Sequence, residues 1–235
     1  MEAHISETDI HIWHINLETN HTTFNVCFGS LSKEEQERAA RFSNTAAKNR
    51  YCISHGALRY IISKYVNEKP ELIHFIAQRY GKPALEPCAQ IRFNLSHSRS
   101  AALVAIAKNR EVGVDIQFED KSIDMLGIAN RFFSAIEKKI LCSLDKSEIP
   151  HAFYRYWVRK EAFTKALGQG IIVPLDSFAV PLENNGLVEF ESSSVFENSS
   201  RIWSIHHVKT KPGYHGAIAI EGADYTIKEH FWDNA

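Results

Sequence analysis

The chain has 235 residues, enough for one large domain or two small ones with an ample core. Its 27 Lys and Arg against 28 Asp and Glu leave a formal charge of −1, so nothing global draws it to nucleic acid or a membrane surface. Any anion site must be built from local charge. The longest apolar run, Ala101 to Ala107, is far short of the roughly 20 residues that span a bilayer. Met1-Glu2-Ala3-His4-Ile5-Ser6-Glu7 lacks the basic and apolar regions of a signal peptide. Cys27, Cys52, Cys88 and Cys142 are scattered, with no Cys-x-x-Cys. The expectation is a cytoplasmic protein with reduced core thiols.

Asp9 to Leu17 alternates, with Ile10, Ile12 and His14 facing one way, and predicts a strand. Ser32-Lys33-Glu34-Glu35 is a capping box that opens a helix. A second helix is expected from about Ala46 to Tyr65, and strands near 72–79, 90–95, 101–108 and 111–118. Helices follow near 121–145 and 150–167, then strands near 177–182, 186–191, 201–209 and 214–221. Helices followed by strands thus occur twice. Ile91-Arg92-Phe93 with Ala101 to Ala107 is echoed by Arg201-Ile202-Trp203 with His215 to Ile220, although generic alternation explains that equally well.

Two segments carry chemistry. In Gly113-Val114-Asp115-Ile116-Gln117, period-two alternation puts Val112, Val114 and Ile116 on an apolar face and Gly113, Asp115 and Gln117 on the other. An acid beside an amide makes an oxygen-rich spot; a half-buried strand with a solvated polar face explains it too. His151 to Leu167 reads as a helix stopped by Gly168. Phe153, Trp157, Glu161 and Lys165 share one stripe, while Val158, Ala162, Phe163, Ala166 and Leu167 form an apolar one. Glu161 and Lys165 alone would be a surface ion pair worth roughly 0.2–0.5 kcal/mol. Two carboxylates and a lysine together suit a divalent metal and a phosphate.

The pattern Gly-Val-Asp-Ile-Gln, then Trp157-Val158-Arg159-Lys160-Glu161-Ala162-Phe163-Thr164-Lys165-Ala166-Leu167-Gly168-Gln169-Gly170, resembles the signature of the 4′-phosphopantetheinyl transferases, of the longer surfactin-synthetase type. Tyr80-Gly81-Lys82-Pro83, Phe93-Asn94-Leu95-Ser96-His97-Ser98, Arg131-Phe132-Phe133-Ser134 with Glu137, and the region from Leu31 to Arg50 with Arg38, Arg41 and Phe42 resemble further segments of that family, in order along the chain.

The resemblance implies an α+β fold of two similar halves related by a pseudo-twofold. They would be residues 1–118 and 119–235, with Phe118-Glu119-Asp120-Lys121 as connector and a metal at the junction. It implies transfer of 4′-phosphopantetheine from coenzyme A to a serine of an apo acyl carrier protein or peptidyl carrier protein, as in fatty-acid, polyketide or non-ribosomal peptide synthesis. Mg2+ would be held by Asp115 and Glu161, with Lys165 on a phosphate and Glu161, or a water it orients, as base. Arg50 and His97 would lie near the coenzyme's 3′-phosphate with Ser96, and Lys82 with Pro83 near the adenine and ribose phosphate. Gln117 departs from relatives that carry an acid there; it could ligate the metal, orient a metal water, or do neither. A monomer is expected, with no nucleic-acid or membrane partner. The rival readings are a metal-dependent nucleotide phosphodiesterase and a non-catalytic coenzyme A or carrier-protein binding module. His11, His14, His206 and His207 form no metal-ligand motif and read as structural or exposed.

Overall fold

A computed structural model describes residues 3–86, 90–168, 173–182, 186–190 and 202–233. It is a mixed α+β structure of two compact units. One comprises Met1–Ala77, Pro83–Asn109 and Tyr225–Ala235; the other comprises Gln78–Lys82 and Arg110–Asp224.

The first unit opens with β1 (Asp9–Asn16). Helices α1 (His21–Ser30), α2 (Lys33–Ala40) and α3 (Thr45–Val66) follow. The short β2 (Phe75–Ala77) and β3 (Pro83–Leu85) pair with each other. Then β4 (Ile91–Ser98) and β5 (Ala101–Lys108) form a hairpin, with β5 antiparallel to β1. The last strand, β12 (Thr226–Trp232), adds parallel to β1, for a sheet order β12-β1-β5-β4. Ile53, Ala57, Ile61 and Ile62 of α3 share a core with Trp13, Ile15, Phe93, Val104 and Ile106 of the sheet. The capping box at Ser32 and Glu35 is present as expected, and Glu35 also takes the Arg59 guanidinium at 2.7 Å. Gly56 lets α3 meet α1: a Cβ there would lie 2.5 Å from that of Cys27.

The second unit repeats this plan. A strand, β6 (Val112–Phe118), is followed by three helices: α4 (Met125–Phe132), α5 (Ala135–Ser143) and α6 (Ile149–Leu167). After the small ladder of β7 (Phe178–Ala179) with β9 (Glu189–Phe190), and β8 (Gly186–Leu187), comes the hairpin of β10 (Trp203–Val208) and β11 (Tyr214–Glu221). The sheet order is β6-β11-β10-β8. In both units the opening strand lies antiparallel to the later strand of the hairpin. Phe153, Ala162, Phe163 and Ala166 of α6 share a core with Ala217 and Ala219 of β11. Within this core the Lys160 ammonium is fully buried, on Glu137 at 2.7 Å and on the carbonyls of Leu175 and Phe178.

Several expectations are corrected. The compact units do not divide after residue 118: β6 is hydrogen-bonded to β11, so Asp115 belongs to the same unit as Glu161, and residues after 225 return to the first unit through β12. The helical stretch 121–145 breaks at Phe133, because Ser134 caps α5 with Glu137. α1 was not foreseen; its Thr, Asn, Gly and Ser residues are weak helix formers, and packing overrides that preference. His97 is paired with Ala102 near the end of β4. Cys27 and Cys52 are buried free thiols, and burial pushes the Cys27 thiol up to about 12, whereas Cys142 is exposed and no core residue. Cys88 and Gln169-Gly170 lie outside the described residues. Among the described residues no helix is long and apolar enough to cross a membrane.

Candidate active site

The site forms where α6 crosses β6. Val112, Val114 and Ile116 alternate on one buried face of the strand. The face carrying Gly113, Asp115 and Gln117 is the one α6 covers. Gly113 permits this: a Cβ there would lie 2.8 Å from Ala166 Cα, and closer still to the Ala162 carbonyl oxygen and the Ala166 nitrogen. The helix enters with Pro150 in its first turn and stops at Gly168, whose φ of +64° is the left-handed geometry that favours glycine.

This approach aims the last two turns of α6 at the strand. Lys165 Nζ donates to Asp115 Oδ1 at 2.5 Å, with the Asp115 side chain 8 % exposed and that of Lys165 30 %. The structure therefore pairs Lys165 across to the strand. Glu161, half-buried one turn earlier, has its carboxyl pushed above the usual range, first by burial and then by the negative charge of Asp115, with the Lys165 ammonium opposing. Asp115, Glu161 and Lys165, expected together from sequence, are thus brought within each other's fields. Gln117 lies half-buried on the same strand face, opposite His215 in the register.

Lys82 belongs to the same unit. It ends a tight turn in which Gly81 has φ +85° and Gln78 N–H donates to the Lys82 carbonyl at 2.9 Å. Its ammonium donates to Glu111 Oε2 at 2.8 Å, the Val112 carbonyl at 3.1 Å and the Ala166 carbonyl at 3.0 Å. Lys82 thus ties the start of β6 to the C-terminal end of α6, where a cation also suits the helix dipole. Sequence reading did not foresee this fastening.

The remaining expected residues lie in the first unit. Arg50 is half-buried on α3; Ser96 is buried and His97 exposed near the end of β4; Pro83 is exposed at the start of β3. Arg38 lies over the Tyr51 ring, 5.4 Å from its centroid.

Comparison with known proteins gives the context. A family model described as the 4′-phosphopantetheinyl transferase superfamily matches residues 111–220, the stretch that holds β6 and α6. A second, the N-terminal region of 4′-phosphopantetheinyl transferase, matches residues 17–110. Among relatives, the 4′-phosphopantetheinyl transferase HetI of Nostoc is 30 % identical over 227 residues, covering 95 % of this chain and 92 % of that protein. The chain belongs to the 4′-phosphopantetheinyl transferase superfamily. The transferase Sfp of Bacillus subtilis is 33 % identical over 195 residues, covering 83 % of this chain and 84 % of its own. More distantly, the L-aminoadipate-semialdehyde dehydrogenase-phosphopantetheinyl transferase of Xenopus laevis is 25 % identical over 217 residues, covering 85 % of this chain and 71 % of its own. The long matches to HetI and Sfp agree with the longer type of 4′-phosphopantetheinyl transferase expected from the motifs.

Proposed function

We propose that the chain transfers the 4′-phosphopantetheine group of coenzyme A to a serine hydroxyl of an apo acyl- or peptidyl-carrier protein and releases adenosine 3′,5′-bisphosphate, a holo-acyl-carrier-protein synthase activity. The observation that carries the reading is the cluster of Asp115, Glu161 and Lys165 on β6 and α6, inside the stretch that the superfamily model matches.

The donor set fits Mg2+. Its side chains offer only oxygen, as a hard cation requires. Asp115 already raises the proton affinity of Glu161, so the pair favours added positive charge. Asp115 and Glu161 would hold the ion, with the Gln117 amide on the same face. When bound, such an ion offsets charge building on the pyrophosphate. Lys165 supplies a compact cation to a phosphate oxygen. The serine oxygen attacks the phosphorus nearer the pantetheine, and the bond to the adenosine phosphate breaks. The hydroxyl proton passes to Glu161 or a water that it orients.

In this reading Arg50, Ser96 and His97 hold the 3′-phosphate end of coenzyme A, and Pro83 flanks the adenine. Lys82 acts at the ribose phosphate only at the cost of an acceptor that it now holds, such as Glu111 or the Val112 or Ala166 carbonyl. We take the working form as a cytoplasmic monomer, its partners coenzyme A and carriers of fatty-acid, polyketide or non-ribosomal peptide synthesis. Mass spectrometry tests the reading. Incubated with coenzyme A, Mg2+ and an apo carrier protein, the chain should add about 340 Da to the carrier, one phosphopantetheine group. Hydrolysis of coenzyme A with no change in carrier mass would make it a phosphodiesterase, and binding without turnover a non-catalytic module; either result would overturn the proposal.

A further inference from the structure

A second cluster of ligating side chains lies farther along the same strand and helix. Glu119 follows β6 directly, His215 is the second residue of β11, and His151 is in the first turn of α6. Their ligand atoms all lie within 4.8 Å of one another, and among the described residues no other group of three His, Cys, Asp or Glu side chains is so arranged. Glu119 Oε2 and His215 Nε2 are 2.9 Å apart, and the rings of His151 and His215 are 5.0 Å apart between centroids.

We propose that Glu119, His151 and His215 form a binding site for a borderline divalent transition ion of the zinc class, held by two imidazoles and one carboxylate with a fourth position open to water. The donor types select the ion. Two imidazoles suit zinc, cobalt or nickel and not magnesium, which takes oxygen. The site is therefore chemically distinct from the all-oxygen set of Asp115 and Glu161.

The geometry supports it. With bonds of about 2.0–2.2 Å to a tetrahedral ion, ligand atoms lie about 3.3 Å apart. Glu119 and His215 are already that close. Closing the widest gap asks for at most about 1.5 Å of movement, which a rotamer change of the exposed His151 can supply. The other two ligands are held. His215 is buried and stacks on Tyr154, centroids 5.5 Å apart and planes 15° from parallel. The Tyr154 hydroxyl accepts from Asp120 N–H at 2.8 Å and donates to the Asp120 carbonyl at 3.0 Å, fixing the residue after Glu119. The Glu119 N–H donates to the Gly213 carbonyl at 2.8 Å. Lys121, highly exposed, reaches Glu119 Oε1 at 3.6 Å and leaves Oε2 to the ion. His215 would bind through Nε2 as the neutral tautomer that carries its proton on Nδ1. The ion would tie together the end of β6, the start of β11 and the first turn of α6.

The test uses the full, tag-free, metal-stripped chain, titrated with Co2+ by visible absorption and with Zn2+ by calorimetry. One equivalent should bind with the intense bands of four-coordinate Co2+. Zn2+ should raise the melting temperature, and millimolar Mg2+ should not displace it. His151→Ala, which removes an exposed ligand without disturbing the core, should weaken Zn2+ at least roughly tenfold, and Glu119→Gln likewise. Asp115→Asn should leave Zn2+ affinity unchanged, which separates this site from the proposed Mg2+ pair. No binding of either ion, or binding that ignores both His151→Ala and Glu119→Gln, would overturn the proposal.

Discussion

Gly113→Ala is the sharpest probe of the active-site reading, because it removes no functional group. The added methyl would lie 2.8 Å from Ala166 Cα, and nearer still to two other main-chain atoms of α6, where ordinary contact is 3.4–4 Å. No rotamer relieves a clash with main chain, so α6 must move off β6 by roughly 1 Å, since interiors hold no spare volume. Overpacking of this kind costs about 1–3 kcal/mol. The Lys165–Asp115 distance, now 2.5 Å, should open beyond hydrogen-bond range. Misplacement of reacting groups by about 1 Å can cost about a hundredfold in rate. The assay pairs urea unfolding with kcat/KM for holo-carrier formation. We expect a lowered unfolding midpoint and a fall in kcat near a hundredfold that excess Mg2+ or coenzyme A does not restore. Gly29→Ala is the control: on α1, with nothing within 4 Å of its new Cβ, it should be neutral or slightly stabilising. A Gly113→Ala protein with wild-type stability and turnover would refute the claim that α6 positions the site through this contact.

Gln117→Glu would add a third carboxylate on the face of Asp115; the Mg2+ optimum for transfer should shift to lower concentration, and superimposable titrations would place Gln117 outside the site. Arg50→Ala should raise KM for coenzyme A more than for its analogue without the 3′-phosphate, whereas equal losses would put Arg50 elsewhere. Lys82→Met should lower the urea midpoint as well as affinity, because it removes the hydrogen bonds to Glu111 and to the Val112 and Ala166 carbonyls; a purely kinetic effect would contradict the fastening seen here. Burial pushes His11 down to about 4 from an ordinary value near 6.5, so the unfolded chain binds the extra proton between those limits. Stability is then complete above about pH 6.5 and falls by about 3 kcal/mol as pH drops to 4, with His206, His207 and His230 shifted the same way by burial; a flat urea midpoint across that window would be the contrary result.

The Asp115 face of β6 and the stripe on α6 were legible because each rests on a fixed period, two for a strand and 3.6 for a helix. The pairing of Lys165 with Asp115 was not legible. Helical spacing offers Glu161 as the lysine's partner, and only the depth of α6 on Gly113 decides for the strand. The unit boundary was misplaced for a related reason. Phe118 to Lys121 has the composition of a connector, yet β6 finds its partner about a hundred residues later, in β11. β12 was missed because Thr226 to Trp232 lacks alternation; most of its side chains are exposed, and what holds it is the main-chain ladder to β1. The split between α4 and α5 could have been read from Ser134-Ala135-Ile136-Glu137, the same Ser-x-x-Glu signature that marked α2.

The repeated topology allows the site to be compared with its own counterpart. Ile10 pairs with Ala107 and Val112 with Ile220, each the second-last residue of its hairpin strand, so Gly113 corresponds to His11 and Asp115 to Trp13. Helices α3 and α6 both end in a left-handed cap, at Asn67 and Gly168, so Ala166 corresponds to Tyr65. In the first unit these places are filled: the Tyr65 hydroxyl meets His11 Nδ1 at 2.7 Å and accepts from Trp13 Nε1 at 2.8 Å. In the second unit the same places hold a glycine, an alanine and a buried aspartate. Losing the aromatic pair brings the helix backbone onto the strand, and replacing Trp13's equivalent with a carboxylate puts charge where the first unit puts apolar surface. A buried carboxylate costs stability unless it is paired. The fold does not need it there, since the first unit closes without one; in the proposed reading the transfer chemistry does.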